Sequence, residues 1–151
     1  MTEVAQALYT IGFTQKSAET FFSLLKKNQV NRIVDTRLNN TGQLAGFSKK
    51  EDLKYFARTI LGVDYVHWEE SAPEKPMLDA YKKKVMKWDQ YAREYEALLQ
   101  RRKIQSQMEL IVGASGCLLC SEAKPHHCHR SLLADYLSRT SGRNISVKHI
   151  L

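Results

Sequence analysis

The sequence predicts a single α/β domain, in which a mostly parallel sheet of about five strands carries helices on both faces. Three observations support this prediction. Short apolar segments typical of strands alternate along the chain with segments whose apolar residues recur every three or four positions, as they do in helices. Only seven glycines and three prolines occur in the 151 residues, so those present mark boundaries clearly. No repeat, low-complexity tract or linker divides the chain, and its length suits one domain.

The expected strands are short apolar runs bounded by glycine or polar residues, at residues 7–12, 32–35, 64–68, 117–120 and 145–150. The first helix follows Ser17, a residue suited to an N-cap. The second spans residues 48–60, where Ser48 followed by Glu51 matches a capping box. The strongest helical period runs from about residue 78 to 102, a stretch that contains neither Gly nor Pro. A short helix near residues 108–112 and a last helix at 126–138 complete the expected set.

Composition narrows the class of protein. The hydrophobic fraction of 43% and the charged fraction of 26% are those of a folded globular domain. No apolar run exceeds four residues, which excludes a transmembrane helix or a signal-peptide core. Three cysteines do not form the even set of a secreted disulfide scaffold, so we expect a cytoplasmic protein. The net charge of +7 invites a phosphate-bearing partner.

Ligands of open parallel sheets bind beyond the carboxyl ends of the strands, near a switch in strand order. The segments that follow the expected strands are therefore the first to inspect. They are residues 12–14, 35–37, 67–70 and 121–130.

The segment from Cys120 to Arg130 contains two Cys, one Glu, three His and one Arg within eleven positions. Cys128 would lie in the first turn of the last helix, where the helix N-terminus and Arg130 both favour a thiolate. The same helix amides and the guanidinium would attract a phosphate or a carboxylate. In the alternative interpretation the cysteines are small buried side chains and Arg130 is a solvated helix residue.

Asp35 and Arg37 follow the second expected strand and reach the same edge of the sheet as Glu122 and Arg130. They could form a structural ion pair. Alternatively, the two arginines bind an anionic substrate while a carboxylate acts as general acid or base. The predicted catalytic residues are thus Cys128, Glu122 and Asp35. The predicted substrate-binding residues are Arg37, Arg130, Thr10, Gly12 and His129.

A metal site is the weaker interpretation of these residues. Cys117 and Cys120 lie three positions apart on a strand, so their thiols point to opposite faces. The remaining candidate set is Cys120, Cys128 and His129. No cysteine is followed by arginine at the spacing of a phosphatase loop, which excludes that mechanism. Neither a Walker loop nor GxGxxG occurs, which disfavours the mononucleotide- and dinucleotide-binding folds, and the sequence leaves the cofactor unknown.

The expected basic helix at 79–103 is the basis of an alternative function. Residues 81–103 contain eight basic and three acidic side chains. Four aromatic residues are interleaved with them, which are Tyr81, Trp88, Tyr91 and Tyr95. Aromatic and basic side chains together are typical of a nucleic-acid surface. The aromatics also follow the helical period, however, which favours a buried face with a solvated basic back.

Several of these segments resemble the family catalogued as domain of unknown function 488. The resemblance rests on Tyr9-Thr10-Ile11-Gly12, Val34-Asp35-Thr36-Arg37, Tyr65-Val66-His67, Trp88 with Tyr91 and Tyr95, Leu118–Glu122 and Cys128-His129-Arg130. It extends over about residues 7–150 and implies a small cytosolic α/β protein without an established activity. Many members have an Arg- and Pro-rich stretch where this chain has residues 38–47, which suggests a different pocket wall.

These observations lead to one main hypothesis and two alternatives. The main hypothesis is a small enzyme, such as a hydrolase or transferase, that acts on a phosphate-bearing or otherwise anionic substrate, such as a nucleotide or nucleic acid, at the carboxyl edge of the sheet. The first alternative is a non-catalytic nucleic-acid-binding module that uses the basic helix. The second is a metal or redox sensor built on Cys120, Cys128 and a histidine.

Overall fold

The computed structural model describes residues 6–40, 46–122 and 126–151 and contains one five-stranded sheet in which all pairs of neighbouring strands are parallel. The strands are β1 (Gln6–Gly12), β2 (Arg32–Asp35), β3 (Asp64–His67), β4 (Gly116–Cys120) and β5 (Ile145–Ile150). Their order across the sheet is β3-β2-β4-β1-β5. The predicted fold class is confirmed, and every predicted strand agrees to within one residue at each end.

The helices are α1 (Ala18–Lys27), α2 (Lys50–Phe56), α3 (Lys75–Lys82), α4 (Trp88–Arg101), α5 (Met108–Ile111) and α6 (His129–Thr140). Ser17 caps α1 as predicted, because its hydroxyl accepts a hydrogen bond from the amide of Thr20 at 3.1 Å. Within the part of the chain that the structure describes, no helix has the length and apolar character needed to cross a membrane.

The predicted continuous helix at 79–103 is wrong. Helix α3 ends at Lys82, Lys84 adopts a left-handed backbone conformation with φ of 61°, and α4 begins at Trp88. The chain thus folds back, and the Tyr81 ring packs on the Tyr91 ring at 4.8 Å between centroids. The inner faces of both helices supply aromatic rings to one cluster. The helical spacing of aromatic residues in the sequence therefore continues across the break between α3 and α4. The buried-face interpretation of Tyr91 and Tyr95 is confirmed.

Two helix starts also differ from expectation. Ser48 ends a short 3₁₀ turn, and the N-cap of α2 is Lys49, which has no side-chain capping bond. The predicted capping box is therefore wrong. Helix α6 begins at His129 rather than at residue 126, since His127 adopts a left-handed conformation with φ of 52°.

The helices divide between the two faces of the sheet. Residues of α1 and α2 pack with Ile11, Ile33 and Leu119 on one face. Residues of α3, α4, α5 and α6 pack with Leu8, Val34 and Leu118 on the other. From β2 the chain proceeds to β3 at one edge, whereas from β4 it proceeds to β5 at the opposite edge. The carboxyl ends of the neighbouring strands β2 and β4 therefore form the switch point where a ligand is expected.

Candidate functional site

A cavity of about 150 Å³ opens at this switch point, large enough for a group the size of several water molecules. It is lined by Arg37, Leu38, Asn39, Pro73, Leu78, Lys82, Cys120, Ser121, Glu122, Cys128 and His129. The structure thus brings together five of the predicted site residues, which are Arg37, Cys120, Glu122, Cys128 and His129. The other four, Asp35, Arg130, Thr10 and Gly12, are outside this lining and support it from behind.

Arg37 is held by the carboxylate of Asp35 two residues earlier. Its Nε donates to Oδ1 and its Nη2 to Oδ2, both at 2.8 Å, and its backbone amide donates to Oδ1 at 3.1 Å. Nη2 also donates to the carbonyl oxygen of Ser48 at 2.6 Å, and the guanidinium lies 5.1 Å from the centroid of the Phe13 ring. This fork fixes the plane of the guanidinium, because both sides of a bidentate pair must align.

Asp35 is fully buried and accepts two further hydrogen bonds at Oδ2. The Tyr65 hydroxyl donates at 2.5 Å and Asn40 Nδ2 at 3.3 Å. Burial alone would raise the pKa of Asp35, but the hydrogen bonds and charge of Arg37 with the Tyr65 hydroxyl hold that pKa below its ordinary value. The carboxylate therefore stays ionised, and its position serves Arg37 rather than the cavity.

One nitrogen of Arg37 is left over. Only 3% of the Arg37 side chain is exposed, yet Nη1 has no hydrogen-bond partner among residues 6–40, 46–122 and 126–151. A buried donor of this kind costs free energy unless a ligand, an ion or water satisfies it. Arg37 is also one of the residues that line the cavity, so Nη1 is a candidate donor for a group bound there.

Arg130 is fully buried beneath the cavity and links three segments. Its Nε donates to the Thr10 hydroxyl at 3.3 Å, and its Nη1 donates to Cys120 Sγ at 3.0 Å and to the Glu122 carbonyl at 2.5 Å. The pKa of Arg130 falls to about 10 because of burial, against the opposing effects of Cys117 and Glu122. The Thr10 hydroxyl in turn contacts His149 Nδ1 at 2.6 Å. Arg130 and Thr10 thus join β1, β4 and the start of α6.

Gly12 permits a close approach between backbone segments. A Cβ atom at this position would overlap the Glu122 carbonyl group and would lie 2.7 Å from Arg130 Nη1. Gly12 therefore contributes to the site by leaving room for the Glu122 carbonyl that receives Arg130.

Cys128 is the N-cap residue of α6, and its sulfur is in contact with that of Cys120 at the end of β4. The two cysteines are adjacent, but their Cα atoms lie 7.8 Å apart, beyond the usual span of a disulfide, so a bond between them requires a shift of the backbone. Cys117 lies on the opposite face of the sheet, as its spacing from Cys120 predicts, and burial raises the pKa of its thiol. A Cys128 thiolate, the predicted nucleophile, is consequently present only when this pair is reduced.

His129 is oriented by the backbone at the end of β2. Its Nε2 lies 2.9 Å from the carbonyl oxygen of Thr36 and 3.0 Å from the Thr36 hydroxyl. A carbonyl only accepts, so Nε2 carries the proton and Nδ1 bears the lone pair. Burial lowers the pKa of His129 to about 4, although the Thr36 hydrogen bond opposes the change. The imidazole is thus neutral near pH 7.

Within the described ranges, no three His, Cys, Asp or Glu side chains are arranged to hold a metal ion. The candidate set of Cys120, Cys128 and His129 is accordingly not assembled as a metal site there.

Comparison with known proteins gives one match. A model of the family described as domain of unknown function DUF488 matches residues 17–137. The chain belongs to the DUF488 family. The matched region contains both arginines, Glu122 and the paired cysteines, whereas Thr10 and Gly12 precede it. No curated protein and no solved structure matches the chain.

Some residues around the cavity of this DUF488 protein were not among the sequence candidates. Pro73, Leu78 and Lys82 approach from α3 and the loop before it, and Leu38 and Asn39 from the segment in which the chain departs from many DUF488 members. Of that segment, residues 41–45 lie outside the described ranges. Nothing in the local sequence marks Lys82, because its place depends on how α3 packs across the sheet.

Proposed function

We propose that this DUF488 protein is an enzyme that acts on an anionic, phosphate-bearing substrate in the cavity between the ends of β2 and β4. The observation that carries the proposal is Arg37, a cationic residue that lines the cavity and whose buried Nη1 has no partner in the described part of the chain. An oxyanion is the ligand that such a donor binds best.

Other groups on the cavity wall favour the same ligand. Lys82 is exposed and adds a second cationic side chain. The N-terminus of α6 begins at Cys128, where helix amides and the helix dipole favour negative charge. Glu122 is the one acidic residue among the described lining residues, and it lies on the exposed rim. The cavity wall therefore carries more positive than negative charge.

The remaining side chains are suited to a nucleophilic displacement reaction. In the reduced protein, the Cys128 thiolate attacks the electrophilic atom of the substrate and expels the leaving group, which takes a proton from Glu122. Glu122 then removes a proton from water or from an acceptor alcohol, and that oxygen displaces the Cys128 sulfur. The first acceptor makes the protein a hydrolase and the second a transferase. Asp35 is a positioning residue in this scheme, and His129 offers a neutral acceptor at Nδ1.

Binding of inorganic phosphate, measured by calorimetry on the reduced protein at low salt, tests the anion site. We expect Lys82→Gln to weaken binding severalfold and Arg37→Lys, which keeps the charge but loses the fork, to weaken it at least tenfold. Arg93→Gln removes an equally basic residue from the exposed side of α4 and should leave binding unchanged. Equal affinities in all four proteins, or no binding to the parent protein, would reject the site.

Turnover is tested separately with a panel of phosphate esters. Cys128→Ser and Glu122→Gln should abolish turnover of any active ester while the melting temperature stays close to that of the parent protein. If both variants unfold instead, the two residues are structural and the catalytic roles fail.

A further inference from the structure

A ladder of aromatic rings leads from the core of the protein to its surface beside the cavity. Tyr95 and Tyr91 are buried and stack at 6.3 Å, and Tyr91 stacks on Trp88 at 5.6 Å. The Trp88 ring is stacked on His127 at 4.6 Å with an interplanar angle of 22°. His127 is stacked on His126 at 3.8 Å, and both histidines are exposed. The outer end of this ladder is therefore open to solvent.

The outer end of the ladder is next to the proposed anion site along two segments of the chain. His127 immediately precedes Cys128, so their Cα atoms are about 3.8 Å apart. Tyr81, whose ring contacts Trp88 at 5.6 Å, immediately precedes Lys82. Cys128 and Lys82 both line the cavity. The outer end of the ladder thus lies one residue along the chain from two residues that line the cavity.

The turn between α3 and α4 adds positive charge at the same place. Lys82, Lys83, Lys84 and Lys87 are all exposed, and no acidic residue lies between Tyr81 and Trp88. Asp89 follows in the first turn of α4. Stacked aromatic rings beside exposed lysines are the combination that proteins use to bind unpaired nucleobases joined to phosphate.

We propose that the substrate is a nucleotide unit, whose phosphate binds in the Arg37 cavity and whose base continues the ring stack at the outer end of His126, His127 and Trp88. This inference rests on the proposed function, because the cavity supplies the anchor for the phosphate. Stacking is tolerant of the base, so the site selects a nucleoside phosphate over other phosphate esters without strong preference among bases. The unit is either a free mononucleotide or the 5′-phosphorylated end of a strand.

The affinity test compares inorganic phosphate, ribose 5-phosphate and adenosine 5′-monophosphate by calorimetry at one salt concentration. One stacked base should improve affinity over ribose 5-phosphate by about 5- to 150-fold. Equal affinities for the two phosphate esters would overturn the inference and leave the anion site standing. No binding of any of the three would reject the proposed function itself.

The ring ladder is tested with the triple variant Trp88→Leu, His126→Ser, His127→Ser. It should bind inorganic phosphate as the parent does, which also shows that it folds, and should lose the preference for the nucleotide. Tyr55→Leu is the matched control, because Tyr55 is a surface aromatic that is 63% exposed on α2, away from the cavity. A triple variant that still binds phosphate and retains the full preference would overturn the inference.

Fluorescence gives an independent readout. The chain has two tryptophans, and Trp68 is buried with its indole nitrogen donating to Gln107 at 2.9 Å. In the Trp68→Phe protein, adenosine 5′-monophosphate should change the emission of Trp88, whereas ribose 5-phosphate should not. Identical responses to both ligands would contradict stacking at this ladder.

Single-stranded hexanucleotides distinguish the two sources of the nucleotide. Tighter binding of the 5′-phosphorylated hexamer than of the mononucleotide would identify a strand end as the ligand, and the reverse would identify a free nucleotide. A hexamer with a 5′-hydroxyl that binds as tightly as the phosphorylated one would mean that the lysines bind the backbone without the cavity. That outcome would overturn the inference and favour a nucleic-acid-binding module, with the steep salt dependence of phosphate contacts.

Discussion

The carboxylate of Asp35 and the guanidinium of Arg37 form two parallel hydrogen bonds of 2.8 Å in a place where neither side chain is more than 3% exposed. Two charges buried this well are costly to separate, because removing one leaves the other without compensation. The pair therefore fixes the position of Arg37, which lines the cavity and has one unpartnered nitrogen in the described residues.

We expect Asp35→Asn to lower the free energy of unfolding by about 3–5 kcal/mol, since the Arg37 charge stays buried while its counter-charge is removed. Urea denaturation measures this loss. Asp79→Asn is the matched control, because Asp79 pairs with Lys75 at 2.7 Å in an exposed i,i+4 ion pair and should matter much less. Equal losses in the two variants would contradict the structural role of the buried pair.

The lowered pKa of His129 predicts that the protein loses stability at mildly acidic pH. Its pKa of about 4 in the folded protein lies below the ordinary value of 6.5, so the unfolded chain binds the proton first as the pH falls. The stabilisation is complete above about pH 6.5 and should be lost between pH 6.5 and 4, to a total of about 3 kcal/mol. Unfolding measured across this range should show a shallower slope for His129→Gln, whose amide can still donate to Thr36.

The matched control for this slope is His126→Gln at an exposed position outside α6. Its pH dependence should equal that of the parent protein. Asp35 acts at lower pH, because its pKa is depressed and its contribution is lost only below about pH 4, as the carboxylate protonates. A parent-like slope in His129→Gln would contradict the buried neutral imidazole.

Gly12 and Gly46 differ in the space that is available for a Cβ atom. A Cβ atom at Gly12 would overlap the Glu122 carbonyl, whereas one at Gly46 would have nothing within 4 Å. We expect Gly12→Ala to cost about 1–3 kcal/mol of stability and to weaken phosphate binding, because Glu122 and Arg130 must move. Gly46→Ala should leave both properties near those of the parent. Denaturation and calorimetry check them, and a stable, phosphate-binding Gly12→Ala protein would contradict the close approach.

We expect Cys120 and Cys128 to be oxidised as a pair and Cys117 to remain unreactive. In the reduced protein, hydrogen peroxide should convert one thiol of the Cys120–Cys128 pair to a sulfenic acid with release of water. The second thiol then displaces a second water to form the disulfide. Peptide mapping should find this link in Cys117→Ser as well as in the parent protein. Turnover should stop on oxidation and return with a thiol reductant, because the Cys128 thiolate is regenerated.

The outcome at Cys117 is part of the same experiment. Its thiol is buried on the other face of the sheet and should be alkylated only after unfolding. A linkage that includes Cys117, or turnover that persists in the oxidised protein, would count against the assignment of Cys128.

The strands and the position of the cavity at the carboxyl edge of the sheet were predictable from the sequence. Buried parallel strands are short apolar runs, and the residues that follow them share an edge of the sheet, which correctly placed Arg37, Cys120 and Cys128 together. What the sequence could not show depends on tertiary packing. The helical spacing of the aromatic residues continues through the reversal of the chain after Lys82. The sequence pattern therefore does not reveal the break between α3 and α4.

The roles of the two arginines also depend on packing. Both follow strands or begin helices at the same edge, and both are equally plausible as anion ligands from their positions in the chain. Each arginine keeps one buried Nη nitrogen without a partner in the described residues, Nη1 of Arg37 and Nη2 of Arg130. Only Arg37 lines the cavity, whereas Nη1 of Arg130 is engaged with Cys120 and Glu122.

The strand order β3-β2-β4-β1-β5 determines when the sheet can form during synthesis on the ribosome. Strand β4 begins at Gly116 and pairs with both β1 and β2, which do not pair with each other. Until β4 is available, β1 cannot be joined to the β2–β3 pair, and both β1 and β2 expose an unpaired edge. The complete sheet, and with it the cavity between the ends of β2 and β4, should therefore form only after β4 has been synthesised.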